Sequence, residues 1–88
     1  MAISQESGTP KNLTASGAFS LVPGTLLGFY VNSTSSGTII IKDGGTSGTA
    51  LSGTITPAIG FHRFPAAIVT SGYATIGGTL DVTLFFAQ

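Results

Sequence analysis

From Ala18 onward the chain consists of short apolar runs cut by glycine and proline. No segment carries apolar residues at i, i+3, i+4 and i+7 for three turns. A helix without a continuous apolar stripe has nothing to pack on, so helices are not expected. The doublet Gly-Thr recurs at 24–25, 37–38, 48–49, 53–54 and 78–79. Glycine supplies the backbone freedom of a turn, and the β-branched threonine suits the strand that follows. The spacing is irregular, which makes this turn chemistry rather than a solenoid repeat.

The runs read as strands. Ala18 to Val22 ends at Pro23-Gly24. Leu26 to Asn32 alternates, with Leu27, Phe29 and Val31 on one side and Leu26, Gly28 and Tyr30 on the other. Thr38 to Lys42 follows a turn at Ser35-Ser36-Gly37 and closes at Asp43-Gly44-Gly45. Thr49 to Thr56 is a weaker strand ended by Pro57. Phe61 to Thr70 contains Pro65, the mark of an edge, a bulge or a kink. Tyr73 to Ile76 ends at Gly77-Gly78. Thr79 to Ala87 alternates most cleanly: Leu80, Val82, Leu84 and Phe86 form one face, Asp81, Thr83 and Phe85 the other. Seven to eight short strands with frequent turns predict an all-β fold, a single small antiparallel β-sandwich or jelly roll over 18–88. The preceding segment, 1–17, is polar, with Ile3 and Leu13 its only large apolar residues beyond the initial Met1. It reads as an extended N-terminal arm, dispensable for folding and needed for assembly.

At 88 residues the chain makes one domain with a thin core, a size that often relies on disulfides, metals or partners. Cysteine is absent, so disulfides and thiolate metal sites are excluded. One histidine and three carboxylates offer little for a metal cage. Association with other subunits is the support that remains. Only 7% of residues are charged and the formal net charge is zero, whereas free monomers tend to keep their charge away from neutrality. The lack of a basic patch argues against nucleic acid. No apolar run approaches a membrane span, and 1–17 lacks the basic start and apolar stretch of a secretion signal. Asn12-Leu13-Thr14 and Asn32-Ser33-Thr34 fit the glycosylation acceptor pattern, which chance explains better in a chain this rich in serine and threonine.

Residues that could carry chemistry are few. His62-Arg63 lies between Phe61 and Phe64, and a catalytic reading would pair His62 with a serine nucleophile. No nucleophile elbow selects one. The simpler reading packs Phe61 and Phe64 and leaves His62 and Arg63 to solvent or a neighbour. Asp43 reads as the acceptor of its own glycine turn. Asp81 reads as a charge that blocks stacking of an aggregation-prone strand. Asp43-Gly44-Gly45-Thr46-Ser47-Gly48 lacks the ending of a phosphate loop and is expected to be a hairpin loop. Tyr30, Tyr73 and Phe61 could stack on a sugar, with core or interface packing the commoner use of such rings. No catalytic, cofactor-binding or metal residue is therefore assigned, and the chain is not expected to be an enzyme.

Three strings carry a resemblance: Gly24-Thr25-Leu26-Leu27-Gly28-Phe29-Tyr30-Val31, Ile39-Ile40-Ile41-Lys42-Asp43-Gly44 and Gly78-Thr79-Leu80-Asp81-Val82-Thr83. Over about three quarters of its length the chain resembles small β-sandwich virion proteins of tailed bacteriophages. The resemblance implies a capsid decoration or cement subunit that stabilises the head shell. It further implies homo-oligomers, trimers above all, partnered by the major capsid or another virion protein. A tail, fibre or baseplate component is the nearest alternative, and a carbohydrate-binding module is an alternative of another class. The expected location is the virion, with no cofactor, nucleic acid or membrane involved.

Overall fold

The computed structural model describes residues 9–87. It is all-β, with no helix among them. The strands are β1 (Thr9–Leu13), β2 (Gly17–Ser20), β3 (Gly24–Asp43), β4 (Thr49–Ala50), β5 (Gly60–Ile68) and β6 (Gly72–Ala87). Four are short, but β3 has 20 residues and β6 has 16. The count falls below the expected seven or eight because two expected turns are bulges. β3 runs straight through Ser35-Ser36-Gly37 and β6 through Gly77-Gly78. The two sites face each other, with Ser35 opposite Thr79, Thr38 opposite Gly77 and a register shift between. Ser36 and Gly78 take φ of 55° and 66°, the left-handed region that absorbs an extra residue in a strand. Glycine serves a turn or a bulge equally well, and only the partner strand decides which.

All strands are antiparallel and belong to one sheet. β3 and β6 pair along nearly their whole lengths. Beyond β6, β1 covers 82–86 and β2 covers 72–74. Beyond β3, β5 covers 24–31 and β4 covers 42–43, and a bridge joins Ile39 to Ile55. A straight 20-residue strand would be ~66 Å long, yet the longest molecular dimension is 40 Å. The pairings show how the ribbon fits. Gly24, at the start of β3, faces Ile68, while Asp43, at its end, faces Gly72. Four residues of chain span at most about 14 Å, so the two ends of β3 lie close together. The sheet therefore doubles over, with its bend at the bulges around 33–37 and 78–80 and an open end formed by the turns 21–23, 44–48 and 69–71.

The doubled sheet encloses one core: Leu80, Val82, Leu84, Phe86 and Ala74 of β6, Leu26, Phe29, Val31, Ile39 and Ile41 of β3, with Phe19 and Ile68. The expected inner face of 80–86 is buried as read. The expected alternation of 26–32 slips. Leu26 and Phe29 both point inward, which an uninterrupted strand forbids; the register of β3 shifts between Leu26 and Gly28 against both β5 and β6. Of the expected arm, residues 1–8 lie outside the described residues. Thr9–Leu13 is β1, paired with β6 of its own chain, and Leu13 packs against the core. Thr49 to Thr56, expected as a strand, is regular only at Thr49–Ala50. Beyond that, Ser52 Oγ accepts the Ile41 N–H at 3.1 Å and Ile55 exchanges two backbone hydrogen bonds with Ile39 at 2.9 Å each. No helix among the described residues is long and apolar enough to cross a membrane.

Candidate functional site

Strand parity sorts the residues of β5. His62, Phe64, Ala66 and Ile68 turn toward the core, while Phe61, Arg63, Pro65 and Ala67 stand on the outer face. Of the expected arrangement, Phe64 packs on the core and Arg63 is exposed as read, but Phe61 and His62 exchange places, since residues three apart in a strand face opposite ways. Phe61 is 55% exposed. His62 instead lies against Phe29, ring centroids 5.4 Å apart, and its Nε2 is 2.7 Å from the Ala58 carbonyl.

Cross-strand register then brings distant residues into line. Asn12 of β1 faces Thr83 of β6, Thr83 faces Tyr30 of β3, and Tyr30 faces Phe61 of β5. This row crosses four strands, roughly 14 Å at about 4.8 Å per step. Tyr30 is 43% exposed. Phe61 also contacts the half-buried Phe85 in a tilted pair at 6.1 Å. The aromatic end of the row therefore presents ring surface to solvent from a rigid sheet.

The other end is polar and internally braced. Asn12 Nδ2 donates to Asp81 Oδ1 at 2.7 Å and to Thr83 Oγ1 at 3.3 Å, and also reaches the Val82 carbonyl at 3.1 Å. Asn32 Nδ2 donates to the same two atoms, at 3.3 and 3.0 Å. One carboxylate oxygen and one hydroxyl thus tie together two amides from two different strands. Asp81 pairs with Ser33 of β3 on one side, and on the other it lies just beyond the last β1 pair, Leu13 with Val82.

A second feature lies at the open end. Leu21 is 84% exposed and Val69 73%, with Val22 also exposed. Their turns are pinned by polar side chains. Ser20 Oγ accepts the Val22 N–H at 3.2 Å and donates to the Val22 carbonyl at 2.7 Å. Asp43 accepts the N–H groups of Val69 and Thr70 at 2.9 Å and of Ser71 at 3.2 Å. These bonds, Val69 first, hold the Asp43 carboxyl below its ordinary pKa. Asp43 is a turn residue, as read, but the turn it holds is that between β5 and β6. The glycine-rich 43–48 stretch is the loop joining β3 to β4, and Lys42 Nζ donates to the Thr46 carbonyl at 3.1 Å.

Of the three rings read as possible sugar contacts, Tyr30 and Phe61 are neighbours. Tyr73 faces Lys42, ten residues along β6 from Thr83, roughly 33 Å of extended strand. Asn12 and Asn32, read only as glycosylation matches, turn out to share one polar cluster. Thr83, Phe85, Leu21, Val22 and Val69 were not singled out from the sequence. For Thr83 and Phe85 the outer parity of Thr79–Ala87 was a usable signal, but nothing local indicated which strands would flank them. Among the described residues no group of three His, Cys, Asp or Glu is placed to hold a metal. No family model, curated protein or solved structure matches the chain.

Proposed function

We propose that the chain is a non-enzymatic structural subunit of a larger particle. In the reading its sequence resemblance implies, that particle is a tailed-phage virion whose capsid shell the chain decorates and braces, as a homo-oligomer with trimers favoured. The observation that carries this is the open end. Leu21, Val22 and Val69 are apolar, mostly solvent-exposed and held on turns pinned by Ser20 and Asp43. Single exposed apolar residues are ordinary, but three on two hydrogen-bonded turns at the same end of the sheet fit a surface made to be covered. Covering it removes apolar area from water at about 25 cal/mol per Å² before association costs. A neutral, charge-poor chain also meets little electrostatic opposition to packing in many copies. The engaged ring of His62, on Phe29 and the Ala58 carbonyl, favours a structural use for the residue that came nearest to a catalytic one.

Immunogold labelling of virions purified from the source lysate tests the assignment, with label on the heads expected. Sedimentation equilibrium of the pure chain tests the surface. The wild type should self-associate, and Leu21→Asp/Val69→Asp should sediment as a folded monomer that no longer labels heads. Unlabelled particles, or a double variant that assembles like the wild type, would overturn the reading.

A further inference from the structure

We propose that the outer face of β1, β6, β3 and β5 binds a neutral polyhydroxylated saccharide along the row Asn12–Thr83–Tyr30–Phe61. The site uses none of the open-end residues, so it goes beyond the assembly role and does not rest on it.

Two kinds of chemistry meet in this row. At one end Tyr30 and Phe61 expose ring surface, whose electron-rich faces attract the weakly positive C–H edges of a sugar ring. Neither ring is free to collapse into the core, because outer parity fixes both away from it. At the other end the amide donors of Asn12 and Asn32 are spent on Asp81 Oδ1 and Thr83 Oγ1. What the cluster offers outward is therefore acceptor capacity. Asp81 Oδ2 and the side-chain carbonyls of Asn12 and Asn32 receive no hydrogen bond from the described residues. A matching ligand must bring several hydrogen-bond donors beside an apolar C–H face, which is the make-up of a saccharide.

Charge narrows the class. Among the described residues Asp81 is the only ionised group in the cluster, and its carboxylate disfavours phosphorylated, sulfated or carboxylated ligands. Arg63, one row away beside Gly28, supplies a single donor flank, too little to hold a polyanion. The internal bonds of the cluster also fix its side chains before any ligand arrives, so less ordering entropy is lost on binding. An open face of this kind leaves much of the ligand solvated and binds weakly rather than tightly.

The test is amide chemical-shift mapping of the intact ¹⁵N-labelled chain titrated with cello-, malto-, xylo-, manno- and chito-hexaose. At least one should give saturable shifts at residues 11–13, 28–32, 61–63 and 81–85, with none at 21–22 or 69–71. Tyr30→Ala and Phe61→Ala, changes at exposed positions, should keep the fold and each weaken that binding about tenfold or more, as loss of an aromatic anchor does. Asp81→Asn should weaken it severalfold, and Tyr73→Ala should leave it unchanged. No saturable shift with any of the five sugars overturns the proposal, as does binding indifferent to Tyr30→Ala and Phe61→Ala. Shifts at these residues that appear on concentrating the protein alone and vanish in Tyr30→Ala would assign the face to a second copy of the chain, and equally overturn it. None of these outcomes depends on where the chain sits in a particle.

Discussion

Asp43, the last residue of β3, accepts the backbone N–H of Val69 at 2.9 Å across 26 residues of sequence. With Thr70 and Ser71 donating to the same carboxylate, it anchors the turn between β5 and β6 where that turn bridges the two ends of β3. Bonds from three N–H groups favour the ionised form and hold its pKa below the ordinary 3.8.

The sign of the resulting pH dependence follows. With a depressed folded pKa, the unfolded chain binds this proton more readily than the folded one. The contribution is present above the ordinary value of 3.8 and is lost as pH falls through the lower folded value. Urea midpoints of the wild type should therefore drop on acidification below about pH 4. Asp43→Asn should be less stable at pH 7 and show a flatter acid profile. Matching profiles would mean that the carboxylate does not hold the turn.

Phe19 lies over Gly72, and a Cβ added there would enter its ring. Phe19 also meets Phe86 at a centroid distance of 6.0 Å, so it has no easy retreat. Gly72→Ala should cost about 1–3 kcal/mol through overpacking. In a double-mutant cycle with Phe19→Ala the two costs should fail to add by at least ~0.5 kcal/mol. Additive losses would show that the ring does not rest on the glycine.

Leu84 is fully buried, between Phe29 of β3 and Lys11 of β1 in register. Leu84→Ala should lose roughly 2–5 kcal/mol, a large share of the ~4–13 kcal/mol expected for a domain of this length. Thermal denaturation should show a sharply lowered midpoint or no cooperative transition. A wild-type melting curve would contradict the packing.

Removing residues 1–17 deletes β1, exposes the outer edge of β6 from Val82 to Phe86, and takes Leu13 off the core. The truncated chain should lose stability by several kcal/mol, in line with losing a paired strand and a partly buried leucine. Hydrogen exchange should quicken at 82–86 first. Undiminished protection there would return 9–17 to the role of a detachable arm.

The local parts of this fold were legible. Glycine and β-branched residues excluded helices, and the alternation of Thr79–Ala87 put Leu80, Val82, Leu84 and Phe86 inside, because side-chain direction in a strand follows from each residue's own backbone. Pro65, which has no N–H to donate, marked an edge, a bulge or a kink; β5 pairs only with β3, and a register shift falls between Arg63 and Ala66. The alternation of 61–64, applied strictly, would also have placed Phe61 outside.

Register and bulges could not be read this way, since they minimise an energy summed over two strands far apart in sequence. Ser36-Gly37 and Gly78 carry the same local signal as a hairpin turn. They are bulges because 24–43 and 72–87 find each other along their full lengths, and the extra residues must go somewhere. The bend they create brings Gly24 near Asp43 and builds the open end. The row Asn12–Thr83–Tyr30–Phe61 is likewise a product of pairing: its members are spread over 71 positions and share no motif. The sequence by itself determined that the chain would be strands with one apolar face. Tertiary pairing alone decided which outer side chains stand next to one another, because alternation is a property of one strand and adjacency a property of two.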